Sequence, residues 1–171
     1  TISRPVKNAV PMTMEELGQD FGYIWYSTVV HGPLEGLPLE IDGLHDRALI
    51  YVDGVLKGVK ERTGHRNDEI MIELAKDEQI RLDILVENMG RVNYGSKQRD
   101  AKGILEGVRI GQRYHFGWTM YPLPLENLDV LKYQPLTGGV DKPAFLTGNF
   151  TAQECADTFI RLDGFTKGVV F

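Results

Sequence analysis

Along the first half of the chain, apolar and polar residues alternate with a period of two. In "IRLDILVE" (80–87), Ile80, Leu82, Ile84 and Val86 alternate with Arg81, Asp83, Leu85 and Glu87. Successive side chains of a strand point to opposite faces, so this run predicts a strand with one apolar and one mostly polar face. Similar short runs, rich in aromatic and β-branched residues, are "FGYIWYSTVV" (21–30), "LPLEI" (37–41), "RALIYV" (47–52), "VLKGVKE" (55–61) and "EIMIEL" (69–74). Gly, Pro, Asp and Asn separate them, as turns require. The clearest local signal is Asp53-Gly54 between two alternating arms, which predicts a hairpin with a two-residue type I′ turn. Near the N-terminus, Thr13-Met14-Glu15-Glu16 has the form of a capping box and Gly18 is a natural stop, predicting a single helical turn. No long stretch has helical periodicity. Six or more short strands at this spacing predict an all-β sandwich.

Beyond residue 115 the pattern loosens. "YPLPLENL" (121–128) carries two prolines and reads as an edge strand or a crossing segment. "TGGVDK" (137–142) has paired glycines without a strand–loop–helix context, and reads as a connection rather than a phosphate cradle. "LEIDGLHDRALIY" (39–51) and "IRLDGFTKGVVF" (160–171) echo each other: apolar–charged–apolar–Asp–Gly, a short loop, then an apolar strand. The echo predicts two related β-units, the second stopping at Phe171 where the first continues into its hairpin.

The formal charge of −5, with no long block of like charge, argues against a nucleic-acid surface. No apolar run approaches the roughly 18 residues of a membrane span, and no basic-then-apolar leader pattern is present. The pattern is that of a soluble chain, with no localisation signal. The single cysteine, Cys155, forms no internal disulfide and reads as a small buried hydrophobe.

Candidate chemistry is sparse. The histidines His31, His45, His65 and His115 lack ligand-like spacing and read as surface or rim residues. Asp42-Gly43, Asp53-Gly54 and Asp163-Gly164 are turns first, with a structural calcium as the lesser reading. Retaining glycosidases need two carboxyl groups roughly 5–5.5 Å apart. Adjacent acids such as Glu15-Glu16 or Asp77-Glu78 do not define such a pair, so no catalytic residue, metal or cofactor is assigned. Of Trp25 and Tyr26, neighbours in one strand, one should be core and the other outward; Trp118 is expected at the junction of the two β-units. The densest polar stretch is "ENMGRVNYG" (87–95). Its amides and guanidinium suit the reading of sugar hydroxyls, with an aromatic face for stacking. Equally, Asn88, Arg91 and Asn93 can satisfy loop carbonyls while Gly90 and Gly95 take left-handed turns.

"MEELGQDFGYIWY", "DRALIYVDG", "LDILVENMGRVNYG", "YPLPL" and "DTFIRLDGFTKGVVF", in that order, resemble the C-terminal β-domains of glycoside hydrolase family 35 β-galactosidases. The resemblance implies a galactose-binding-like jelly roll over 20–115, preceded by a linker with a helical turn (1–19). A second, incomplete jelly-roll unit would begin at 116 and run to 171. It further implies that the catalytic (β/α)₈ barrel and its two glutamates lie outside this chain, which would be inactive alone. Tyr94 would stand toward the substrate site of that barrel, walling the position of the leaving sugar, with Asn93, Arg91 and Asn88 beside it. The expected role is thus a non-catalytic accessory domain, whose partners are the parent barrel and, through its site, a galactoside. The rival readings are an autonomous galactoside-binding module and an assembly module without sugar contact. Exposed edges of an incomplete unit would also invite a second copy.

Overall fold

The computed structural model describes residues 2–96, 98–152, 154, 156–165 and 167–170. Cys155 lies outside them. Two compact units are present, Thr1–Leu131 and Lys132–Phe171.

The first unit contains the strands β1 (Val6–Asn8), β2 (Tyr23–His31), β3 (Leu34–His45), β4 (Arg47–Val52), β5 (Val55–Glu61), β6 (Met71–Leu74), β7 (Gln79–Glu87), β8 (Gly103–Ile110), β9 (Arg113–Tyr114) and β10 (Trp118–Leu123). They form a six-stranded sheet, β1-β10-β2-β7-β4-β5, and a four-stranded sheet, β6-β3-β8-β9. Every pairing is antiparallel. The result is an all-β sandwich, and among the described residues no helix is long and apolar enough to cross a membrane.

The alternation of the sequence sets the core. Ile24, Tyr26 and Val30 of β2 and Leu82, Ile84 and Val86 of β7 pack in one cluster with Leu39, Ile104, Val108 and Ile110 of the other sheet. Each fully buried aliphatic side chain contributes roughly 1.5–3 kcal/mol. The predicted hairpin joins β4 to β5, with Asp53 at φ 50° and Gly54 at φ 77°. The capping box closes reciprocally: Thr13 N donates to Glu16 Oε2 at 2.7 Å, and Glu16 N to Thr13 Oγ1 at 3.3 Å.

Three placements differ from expectation. The segment 1–19 is more than a linker: β1 pairs with β10, and Met14 is fully buried in the core. The change of unit falls after residue 131 rather than at 115/116, because β10 pairs with β2 inside the six-stranded sheet. Trp118 accordingly sits in the core, its ring edge-on to Tyr26 with centroids 6.4 Å apart, and not at a junction. Of the neighbouring aromatics in β2, Tyr26 is the core member, and Trp25 stacks on Tyr51 on the outer face.

In the second unit, Asp163–Gly164 form a turn, with Phe165 N donating to Leu162 O at 3.2 Å. The strand expected over 160–171 is not formed among the described residues.

Candidate functional site

Antiparallel pairing brings the start of β2, the end of β3, the start of β4 and the ends of β5, β7 and β10 to one end of the sandwich, with the start of β8. Tyr23 pairs with Glu87 and Leu123, Arg47 with Glu87 and Glu61, and His45 with Gly103. The loop 88–95 leaves this end directly from β7.

Its polar side chains largely face inward. Asn88 Nδ2 donates to Asp20 O (3.0 Å), while Asn88 Oδ1 accepts from Gly90 N (2.9 Å), an Asx turn. The Arg91 guanidinium donates to Asp20 O through Nε (3.3 Å) and Nη2 (2.9 Å), and to Asp100 O through Nη1 (2.8 Å). Nη1 also meets Glu15 Oε1 at 2.5 Å. These groups fasten the loop to the N-terminal turn and to the segment before β8. Asn93 is exposed, and its carbonyl accepts from Gln98 Nε2 at 3.4 Å. Tyr94 points away from this frame and is 88% exposed, with Met89 and Val92 exposed near it in the loop. Of the four expected site residues, Asn88 and Arg91 are thus used in ordering the loop. Asn93 and Tyr94 are the two exposed to solvent, Tyr94 as a large aromatic.

Beneath the loop lies a charged cluster absent from the sequence reading. Lys102 is 1% exposed, and its Nζ contacts Asp46 Oδ2 and Asp100 Oδ2, each at 2.7 Å. Arg62 Nη1 bridges the same two aspartates, at 3.3 Å from Asp46 Oδ1 and 2.8 Å from Asp100 Oδ1. Asp46 Oδ2 also accepts from Met89 N (2.8 Å), tying the cluster to the loop. His45 Nδ1 lies 2.7 Å from Ala101 O and 3.4 Å from Asp100 Oδ1, at the rim. The only hints in sequence are charges set at strand ends, "HDR" (45–47) and "DAKG" (100–103).

Asp100 is unsuited to act as the general acid of a glycoside hydrolysis. A general acid needs a raised pKa. Burial pushes the Asp100 carboxyl up, but the hydrogen bonds and charges of Lys102 and Arg62 outweigh it and hold it below the ordinary aspartate value. Glu15 behaves likewise: burial raises it, and the Lys102 backbone N–H and Arg91 lower it further. Such acids stay ionised and serve as anchors. No group of three or more His, Cys, Asp or Glu side chains placed to hold a metal occurs among the described residues.

Fold and loop end together define an all-β sandwich domain with two antiparallel sheets. The chain belongs to the family described as "Beta-galactosidase, first all-beta domain", whose profile matches residues 11–124. That range takes in both the capping-box turn and β10. The chain is 38% identical to a "Beta-galactosidase-1-like protein" of Mus musculus, over 98% of this chain and 27% of that protein. It is 34% identical to a "Beta-galactosidase" of Bos taurus (99% and 29%) and 36% identical to one of Xanthomonas manihotis (96% and 27%). It therefore spans between 27% and 29% of the length of these relatives.

Proposed function

We propose that this chain is the β-domain region, C-terminal to a (β/α)₈ barrel, of a glycoside hydrolase family 35 β-galactosidase. In this reading the sandwich is a jelly roll of galactose-binding-like type. It supports the barrel and places Tyr94 in the outer wall of the substrate site, beside the leaving sugar. The parent reaction is hydrolysis of terminal β-galactosides with retention, through a covalent intermediate on a barrel glutamate.

The observation that carries the reading is the division of labour in the loop 88–95. Arg91 and Asn88 are engaged with the Asp20 and Asp100 carbonyls, whereas the Tyr94 ring stands almost fully in solvent beyond this hydrogen-bonded frame. A large exposed aromatic on an ordered loop is a contact waiting for a surface. It can serve as a platform and set specificity without moving a proton.

The first test is to assay the 171-residue chain and its full-length parent side by side on an aryl β-galactoside. The reading expects turnover by the parent alone, and loss of both activity and thermal stability when the region is deleted from it. Hydrolysis by the chain itself, abolished by replacing one of its own carboxylates, would overturn it.

A further inference from the structure

On the solvent side of the six-stranded sheet, register lines up a group of side chains that takes no part in the loop chemistry above. Tyr121 pairs with Trp25 and Trp25 with Leu85; Ser27 pairs with Asp83 and Asp83 with Tyr51. An antiparallel sheet that faces water on one side should carry short polar residues there. Here instead is an open groove of about 510 Å³ lined by Trp25, Ser27, Arg81, Asp83 and Tyr121, with the apolar Ile2 and Leu123 beside them.

The side chains in it are pre-positioned. Trp25 stacks on Tyr51, ring centroids 5.5 Å apart and planes 25° from parallel. Its indole Nε1–H donates to Asp83 Oδ1 (3.3 Å), and Arg81 Nε donates to Asp83 Oδ2 (2.8 Å). Asp83 is 1% exposed although it sits on the outer face. A carboxylate has about four acceptor sites and a guanidinium five N–H donors. With one bond on each oxygen and almost no exposure, Asp83 is closed to a ligand, whereas Arg81, whose side chain is 60% exposed, keeps further N–H donors beyond its Nε bond. The Tyr51 hydroxyl beside them is buried and has no hydrogen-bond partner among the described residues.

We propose that this groove is a carbohydrate-binding site, separate from the loop 88–95. The chemistry selects the ligand class. The buried Asp83 neutralises Arg81 and holds both its guanidinium and the Trp25 indole in place, so the groove carries no net charge to select an ion, and the remaining Arg81 N–H donors serve adjacent hydroxyl groups. The indole of Trp25 supplies a flat surface for the C–H face of a sugar ring, and Ser27 and Tyr121 add hydroxyls. A neutral mono- or disaccharide fits these requirements and the volume of the groove. The inference does not rest on the role given to Tyr94.

Amide and indole NMR of the 171-residue chain, titrated with lactose, cellobiose and maltose to about 50 mM, tests it at the millimolar affinity usual for a shallow site. The chain has two tryptophans, and Trp118 is buried in the core, so the two indole N–H signals separate groove from core. Saturable shifts of the Trp25 indole and of residues 25–27, 81–83 and 119–121 are expected with at least one sugar, with Trp118 unmoved. Arg81→Ala, whose side chain is 60% exposed and whose loss the fold should tolerate, should weaken that binding about tenfold. Trp25→Phe, which keeps the stack on Tyr51, should weaken it as well. The proposal is overturned by the absence of saturable shifts with all three sugars, by shifts confined to 88–95, or by unchanged affinity in Arg81→Ala. Sugar-independent self-association that shields Trp25 would also overturn it, assigning the face to a protein contact.

Discussion

Lys102 and Asp46 form an ion pair of 2.7 Å in which the lysine side chain is 1% exposed and the aspartate 12%. The pair joins the β3–β4 corner to the start of β8, and Asp46 passes the constraint to the loop through Met89 N. Removing one partner of a buried pair leaves the other charge uncompensated. Lys102→Met strands both Asp46 and Asp100 against a low-dielectric interior, with Arg62 alone to offset them. A loss of about 3 kcal/mol is expected, read as a lower urea midpoint at an unchanged slope.

Acid should act through the same cluster. Burial tends to raise the Asp100 carboxyl, yet Lys102 and Arg62 hold it below its ordinary value, and Glu15 is lowered in a similar way. A carboxyl with a lower pKa in the folded chain adds stability at all pH values above its unfolded value, and that contribution disappears as the pH falls through the folded one. Stability should be level from about pH 7 to about pH 5 and decline below about pH 4. Asp100→Asn should lower the urea midpoint near neutrality and flatten the acid limb.

Gly103 occupies a position that no other residue fills easily. Its φ is +106°, and an added Cβ would lie 2.4 Å from Tyr26 Oη. That hydroxyl donates to Met12 O (2.8 Å) and accepts from Ile104 N (3.2 Å), and burial pushes the phenol pKa well above its ordinary value. Gly103→Ala should therefore destabilise by about 3 kcal/mol through strain and a displaced tyrosine. Tyr26→Phe should cost about 1–2 kcal/mol, because two buried backbone groups lose their partner. Thermal unfolding of the two variants distinguishes them by the larger drop for Gly103→Ala.

Arg91 is placed to order the loop. Arg91→Ala should cost only about 1 kcal/mol globally, since the side chain is partly solvated. Its effect should concentrate locally: amide exchange at residues 88–91 should speed up by much more than the roughly fivefold that the global loss imposes on β2 and β7. Equal acceleration throughout the sandwich would show that the residue serves the fold as a whole.

Much of the sandwich was legible because its strands are half-buried. The alternation of "IRLDILVE" and "RALIYV" is the direct imprint of a sheet with one face in the core. β8 escaped the reading. Its core positions Ile104, Val108 and Ile110 are interrupted by a register shift in the pairing between Asp42 and Leu44, which breaks strict alternation. Gly107, which makes the segment look weak, is required there because an added Cβ would meet the Tyr114 ring at 2.9 Å. β1 and β9 are too short to carry a period. The loop 88–95 was visible as a density of amide and guanidinium groups, but composition does not say which way they point. The Lys102–Asp46–Asp100 cluster was invisible, since its members lie up to 56 residues apart and meet only when the strand ends converge.

In the proposed function, the loop 88–95 presents Tyr94 to a substrate site built elsewhere in the parent enzyme. The most direct measurement is kcat/KM of full-length parent and Tyr94→Ala for two β-galactosides, one with a sugar leaving group and one with a small aryl group. Because Tyr94 is 88% exposed, its removal should change fold stability by no more than about 0.5 kcal/mol. The account predicts about a tenfold loss on the sugar-leaving substrate and little change on the aryl one, a shift in preference of about 1.4 kcal/mol. An unchanged ratio between the two substrates, in a variant as stable as the parent, would contradict it.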